Sequence, residues 1–260
     1  MRVTLLLALL GAGCVGFNSR GPWQQPLADA PGAAPAVAAS ATTSRAPAWQ
    51  NIGFTWKGQP LRVTRIGKGP RRVLWIGGIH GNEREGRVAT TELPRAFQAI
   101  PGATEEVTLI ILEDVNPDGS ENNTRGNSRG IDLNRNYPAE NFKPNRFFGM
   151  RPLDQPEARA LHDLVLRERP DLVIVAHSWH DDHFINFDGP ARHLAERFSE
   201  LSGYRVKASD DIAPTPGSLG SWIGVTMGIP ILTLEYLRGR DAWAAWTETK
   251  GAILAVIRTG

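Results

Sequence analysis

From residue 50 onward the chain alternates short, continuous apolar runs rich in β-branched residues with longer amphipathic stretches. The runs occupy residues 61–66, 73–79, 107–115, 172–176, 184–187 and 231–234, and helical patterns fall at 85–93, 156–169, 191–201, 219–226 and 242–257. A strand apolar at consecutive positions is covered on both faces. Strands alternating with helical stretches define an α/β layer structure. The pattern predicts one α/β domain over 50–260, a mixed, mostly parallel twisted sheet with helices on both faces.

The stretch ahead of this domain reads differently. A basic start, the apolar run Leu5-Leu6-Leu7-Ala8-Leu9-Leu10 and the small residues Gly11-Ala12-Gly13 before Cys14 resemble an export signal over 1–14, too short to span a membrane. Small residues directly before a cysteine also resemble a lipoprotein signal, although Gly11 stands where that pattern usually has Leu. Lipid anchoring at Cys14 and simple cleavage both stay open. Residues 15–49, rich in Ala, Pro, Ser and Thr with few large aliphatic side chains, read as a flexible tether. The expected location is outside the cytoplasm, in the periplasm or cell envelope.

Cys14 is the only cysteine, so the domain holds no disulfide, thiolate metal site or cysteine nucleophile. The whole chain's 29 basic residues against 27 acidic ones give no electrostatic case for nucleic acid. Nothing in the sequence calls for a protein partner.

In open α/β sheets ligands bind beyond the carboxyl ends of the strands. Three apolar runs end there in chemistry: His80-Gly81-Asn82-Glu83, His177-Ser178 and Glu235. A single histidine at a strand end is usually a hydrogen-bonded structural residue, but three such ends at one sheet edge form a constellation. His80, Glu83 and His177 have the composition of a catalytic zinc site, one Zn2+ per chain, with a position left for water. Glu235 is a spare carboxylate able to take a proton from that water. The loop over 116–151 brings Arg125, Arg129 and Arg135 close together. One arginine can stabilise the oxygen of a tetrahedral intermediate and another can grip a substrate carboxylate.

With these go Asn116-Pro117-Asp118-Gly119, Gly130-Ile131-Asp132-Leu133-Asn134-Arg135-Asn136-Tyr137-Pro138, Gln155-Pro156-Glu157 and Thr215-Pro216-Gly217-Ser218-Leu219-Gly220. In this order, from about residue 59 to 236, they resemble the zinc carboxypeptidase family, and within it the short bacterial murein peptide amidase A subgroup. The resemblance implies His80, Glu83 and His177 as zinc ligands and Glu235 as general base. It implies Arg125 as the group that polarises the scissile carbonyl, and Asn134 with Arg135 as the pair holding the terminal carboxylate. Asp132 matches a carboxylate that orients a ligand imidazole. The implied substrate is a small cell-wall peptide, with meso-diaminopimelate released from the γ-carboxyl of D-glutamate. General C-terminal carboxypeptidase activity is an alternative. So are an N-acyl amino acid deacylase of the aspartoacylase kind, which shares the Gly-Gly-x-His-Gly-Asn-Glu opening, and a non-catalytic wall binder.

The sequence departs from the family pattern at two places. Digestive carboxypeptidases carry a mobile tyrosine about twenty residues before the general base, and 211–217 has none; Tyr236 should point to the opposite sheet face from Glu235. His180-Asp181-Asp182-His183 is not required by the motif and reads as a solvated rim. The Gly-x-Ser-x-Gly match at 126–130 lacks the strand and helix of a nucleophile elbow. His162 and His193 read as surface or helix-packing residues, Trp179 as a pocket wall, and Trp243 with Trp246, three apart on a helix, as core.

Overall fold

The apolar runs become strands, described in a computed structural model that covers residues 47–212 and 215–259. The strands are β1 (Gln50–Phe54), β2 (Pro60–Ile66), β3 (Arg71–Ile76), β4 (Val107–Leu112), β5 (Leu172–Trp179), β6 (Phe184–Asp188), β7 (Arg205–Ala208) and β8 (Ile231–Leu237). Helices are α1 (Arg87–Gln98), α2 (Ala103–Glu106), α3 (Pro117–Asn122), α4 (Pro156–Glu168), α5 (Arg192–Ser202) and α6 (Ala242–Arg258). The export-signal reading, and the tether reading up to residue 46, lie outside the described residues. Trp49 packs against the core.

All eight strands join one sheet in the order β1-β2-β4-β3-β5-β8-β6-β7. The centre, β4-β3-β5-β8, is parallel. Pairings β1/β2, β2/β4 and β6/β8 are antiparallel, and β6/β7 is parallel. From β3 the chain goes to β4 on one side and then returns to β5 on the other. The carboxyl ends of β3 and β5 therefore flank a topological switch point, where a crevice opens.

Side chains alternate across the sheet. Trp75 faces a core with Leu93, Phe97, Phe198 and Ile253 from α1, α5 and α6. Leu74 and Ile76 face a second core with Leu161 and Val165 from α4 and with Tyr137 and Trp222. Helices thus cover both faces.

Four expectations shift in detail. The run 73–79 stops as a strand at Ile76, because Gly77 and Gly78 turn the chain; Gly78 has φ 64° and a Cβ there would lie 2.2 Å from Asp114 Oδ1. The pattern at 219–226 forms a π-helix, Gly220–Thr226. Its Gly220 and Gly224 lie where a Cβ would come within 2.2 and 2.4 Å of the Asp188 side chain. Trp246 is buried, whereas Trp243 is 57% exposed. The buried stripe of α6 starts only at Ala245, so Trp243, one turn before Trp246, falls outside it. Within the loop 116–151 the chain forms α3 and a 3-10 turn at Leu133–Arg135.

Candidate active site

The turn after β3 carries His80 and Glu83 and is held by backbone packing. A Cβ on Gly81 would lie 2.0 Å from the Gly119 carbonyl carbon, so only glycine lets this turn rest on α3. Asn116 caps α3 by accepting from the Gly119 N–H at 2.9 Å, and its Nδ2 donates to the carbonyls of Ile79 and Arg125, both at 3.3 Å. Pro117 supplies the first helical residue. Asn-Pro-Asp-Gly is thus a clamp between the His80 turn and the arginine loop.

His80, Glu83 and His177 converge, each offering one ligand atom within 4.8 Å of the others. They are 3%, 8% and 4% exposed. His80 Nδ1 lies 2.9 Å from Glu83 Oε1, His177 Nδ1 lies 2.9 Å from Glu83 Oε2, and the two Nδ1 atoms are 3.1 Å apart. A tetrahedral zinc with nitrogen arms of about 2.05 Å separates its ligand atoms by about 3.3 Å, so this spacing fits such an ion. The opposite nitrogen of His80, Nε2, donates to Asp132 Oδ1 at 3.0 Å, which turns its Nδ1 lone pair toward the centre.

Burial favours the neutral form of every group here. Glu83 is nevertheless held far below the usual carboxylate range, because His80 and His177 outweigh burial, and Asp132 is depressed because His80 and then Arg125 and Arg135 do so. His80 is raised, burial being overcome by Glu83 and Asp132, while burial leaves His177 lowered.

Glu235 sits beside His177 in the β5/β8 register. Its Oε2 is buried without a hydrogen-bond partner among the described residues. Burial, and then the charge of Glu83, push its pKa up to about 8. Tyr236 points to the opposite face, as expected, and its hydroxyl is 3.3 Å from Thr249 Oγ1.

The 3-10 turn at Leu133–Arg135 delivers the next groups. Asp132 Oδ1 accepts from the Asn134 N–H at 2.9 Å and Oδ2 from Arg125 Nε at 3.0 Å. Arg125 Nη1 also donates to Glu83 Oε1 at 3.0 Å. Asn134 Nδ2 is 3.2 Å from His177 Nε2, and Asn134 Oδ1 accepts from the Leu219 N–H at 2.9 Å. Arg135 is anchored through Nη1 to the Asn134 carbonyl at 2.7 Å, and its guanidinium lies 5.8 Å from the Phe148 ring centre. Burial lowers the Arg135 pKa. The Thr215–Gly220 segment packs on this turn: Gly217, with φ 63°, accepts from the Tyr137 N–H at 2.9 Å.

These groups line one open cleft, whose walls include Trp179, Asp188, Ser209 and Thr215. Of the residues to which the family resemblance gives a role, all except Asp132 line it, and Asp132 stands directly behind His80. Arg129 is not in its lining; its guanidinium lies over Trp56, 4.5 Å from the ring centre. None of the three tyrosines lines the cleft: Tyr137, Tyr204 and Tyr236 are 0%, 3% and 0% exposed. His180 and His183 are exposed, consistent with a rim, and His183 packs 4.6 Å from the Tyr204 ring. His162 stacks on Trp222 and His193 is exposed.

Sequence reasoning missed Arg238. It follows β8 directly and donates through Nη2 to Glu83 Oε1 at 3.0 Å. The available signal was a basic residue just past the strand end that carries Glu235. Glu85, also missed, accepts from the Gly239 N–H at 2.7 Å and bonds Ser178 Oγ, tying the ends of β5 and β8 together.

A parallel-centred sheet with a His-Glu-His group and an adjacent buried carboxylate at its switch point defines a metallopeptidase architecture. The chain belongs to the zinc carboxypeptidase family, whose model matches residues 38–235. Among curated proteins it is 28% identical over 179 residues to murein peptide amidase A of Escherichia coli, covering 63% of this chain and 70% of that one. It is 27% identical over 208 residues to γ-D-glutamyl-L-diamino acid endopeptidase 1 of Lysinibacillus sphaericus, covering 59% of this chain and 52% of that one. The fold matches the crystal structure of murein-tripeptide amidase MpaA from Escherichia coli O157 with a TM-score of 0.70 at 24% identity, over 83% of this chain and 93% of that one.

Proposed function

We propose that this metallopeptidase hydrolyses an amide bond in a small, carboxylate-bearing peptide derived from peptidoglycan, releasing meso-diaminopimelate from the γ-carboxyl of D-glutamate. The observation that carries the reading is the unpaired Glu235 oxygen in the same cleft as the His80, Glu83 and His177 donors and the Arg135 guanidinium. The names of the two curated relatives support a cell-wall peptide and, for the Lysinibacillus protein, a γ-D-glutamyl bond to a diamino acid.

His80, Glu83 and His177 would hold one zinc ion, which when bound acidifies water and polarises a carbonyl. Glu235 takes a proton from water as its oxygen adds to the carbonyl carbon, then passes that proton to the amine nitrogen as the C–N bond breaks. With no tyrosine in the cleft, this return of the proton falls to Glu235. A pKa of about 8 means that the base form at neutral pH needs positive charge beside it, which an ion held by His80, Glu83 and His177 would supply. Arg125 donates to the carbonyl oxygen as it becomes negative, leaving its contacts with Glu83 and Asp132 to do so. Arg135 pairs with the substrate carboxylate, and Asn134 supports it from the same turn.

The same reading takes the protein to the periplasm or cell envelope, with Cys14 as an anchor if the N-terminal signal is of lipoprotein type. Among the described residues no helix is long and apolar enough to cross a membrane. The test is incubation with L-Ala-γ-D-Glu-meso-diaminopimelate beside a hippuryl amino acid, with and without chelator, reading the liberated amine by mass. Chelator-sensitive release of diaminopimelate is the expected result. Hydrolysis of the hippuryl compound alone would assign a general carboxypeptidase instead.

A further inference from the structure

We propose that Arg238 is a positioning residue of the metal centre: it holds Glu83 in its ligating orientation, and so leaves Arg125 free to turn from Glu83 to the substrate. The inference rests on the reading of His80, Glu83 and His177 as zinc ligands.

Two guanidiniums share one carboxylate oxygen. Arg125 Nη1 and Arg238 Nη2 both donate to Glu83 Oε1, each at 3.0 Å, while Oε2 accepts from the Ser178 N–H at 3.1 Å. The two arginines are anchored very differently. Arg125 comes from the loop after α3, its side chain is 46% exposed, and its other bond is to Asp132. Arg238 is built into the sheet end: its N–H donates to the Trp179 carbonyl at 2.8 Å, its Nη2 also reaches the Ser178 carbonyl at 3.3 Å, and the next N–H, of Gly239, is fixed by Glu85. Its side chain is 24% exposed, and its Nε is buried without a hydrogen-bond partner among the described residues. The guanidinium is therefore oriented toward Glu83 and Ser178 at the expense of its own satisfaction.

This asymmetry divides the work. His80 and His177 face the same centre as Glu83, so the bonds that orient its carboxylate from outside the ligand set are those of the two arginines and the Ser178 N–H. If Arg125 alone held Oε1, its move to a substrate carbonyl would loosen the ligand at the moment of reaction. With Arg238 fixed on the same oxygen, one charge-assisted bond persists throughout.

The experiment measures zinc affinity by competition with a chromophoric chelator, on the full chain stripped of metal, for wild type, His177→Ala, Arg125→Ala, Arg238→Ala and Arg238→Lys. Loss of a partner of this kind weakens metal binding by about 10- to 100-fold, which is the expected result for Arg238→Ala. Arg238→Lys should recover part of the loss by keeping the charge without the planar fork. Arg125→Ala should lower kcat while changing zinc affinity little. A merely structural Arg238 would lower the melting temperature and leave zinc affinity alone. Should Arg238→Ala not fold, Arg238→Lys decides: weakened binding supports the proposal and wild-type binding overturns it. Equal weakening by Arg125→Ala and Arg238→Ala overturns the division of labour. Wild-type affinity in both Arg238 variants, with His177→Ala defective, sinks this inference alone; a wild-type chain that takes up no zinc sinks the reading of the site beneath it.

Discussion

His177 and Glu235 are register partners on the adjacent parallel strands β5 and β8. Adjacent strands lie about 4.8 Å apart and register partners share a sheet face, so the proposed ligand and base are set by backbone pairing alone. Rigid strands, not loops, thus fix the distance between the group that would hold the metal and the group that would move the proton. The accompanying cost is a carboxylate held where burial and Glu83 oppose its ionisation.

That cost sets the first prediction. The folded pKa of Glu235, about 8, lies above the unfolded value near 4.5, so ionisation is easier in the unfolded chain. The contribution of Glu235 to stability is complete below about pH 4.5 and declines as pH rises through about 8. Glu235→Gln cannot ionise and escapes the decline. In chelator-treated protein, the melting temperature of Glu235→Gln relative to wild type should rise between pH 5 and pH 9. A difference that stays flat over this range would show that Glu235 is not buried in this way.

The constellation was legible because its residues are local in sequence to strand ends, and strand ends are marked by where apolar runs stop. His80, Glu83, His177 and Glu235 were readable for that reason. Arg238 also stands just past a strand end, but its importance comes from the pairing of β8 with β5 that brings it to Ser178 and Glu83, a long-range fact. The edge strands β1 and β7 were also missed, since half-exposed edges carry no continuous apolar run. Trp243 was misjudged because three-residue spacing identifies a helix face without saying where its buried stripe begins.

Metal removal is the second prediction. Purified protein should carry close to one zinc per chain, and His177→Ala should lose it, because two remaining donors no longer close the site. Anything that binds only the folded chain stabilises it by mass action, so chelation should lower the melting temperature of wild type and leave His177→Ala unmoved. Metal analysis and thermal scans with and without chelator check both parts. An unchanged metal content in His177→Ala would remove it from the ligand set.

Arg135 supplies the third. A charged bidentate contact with a substrate carboxylate contributes about 1.5–3 kcal/mol. Arg135→Ala should therefore lower kcat/KM roughly ten- to hundredfold on a free-carboxylate peptide, chiefly through KM. On the same peptide esterified at that carboxylate, the loss should shrink. Equal losses on the two substrates would contradict the assigned contact.

The fourth prediction concerns how backbone packing delivers the site, and it contrasts two glycines. At Gly81 the nearest atoms to an added Cβ are all backbone, with Gly119 C at 2.0 Å and Ser120 N at 2.2 Å. Neither can step aside as a flexible side chain would, so Gly81→Ala must push the His80 turn off α3. Overpacking of this kind costs about 1–3 kcal/mol, and because the displaced turn carries His80 and Glu83, zinc affinity should fall with stability. Gly251 lies within α6, where an added Cβ meets nothing within 4 Å. Gly251→Ala should stabilise the helix by about 0.5–1 kcal/mol and leave zinc affinity as it was. Denaturant midpoints and chelator competition on the two variants separate these outcomes. If Gly81→Ala proved as benign as Gly251→Ala, the turn bearing His80 would not be seated on α3 through this contact.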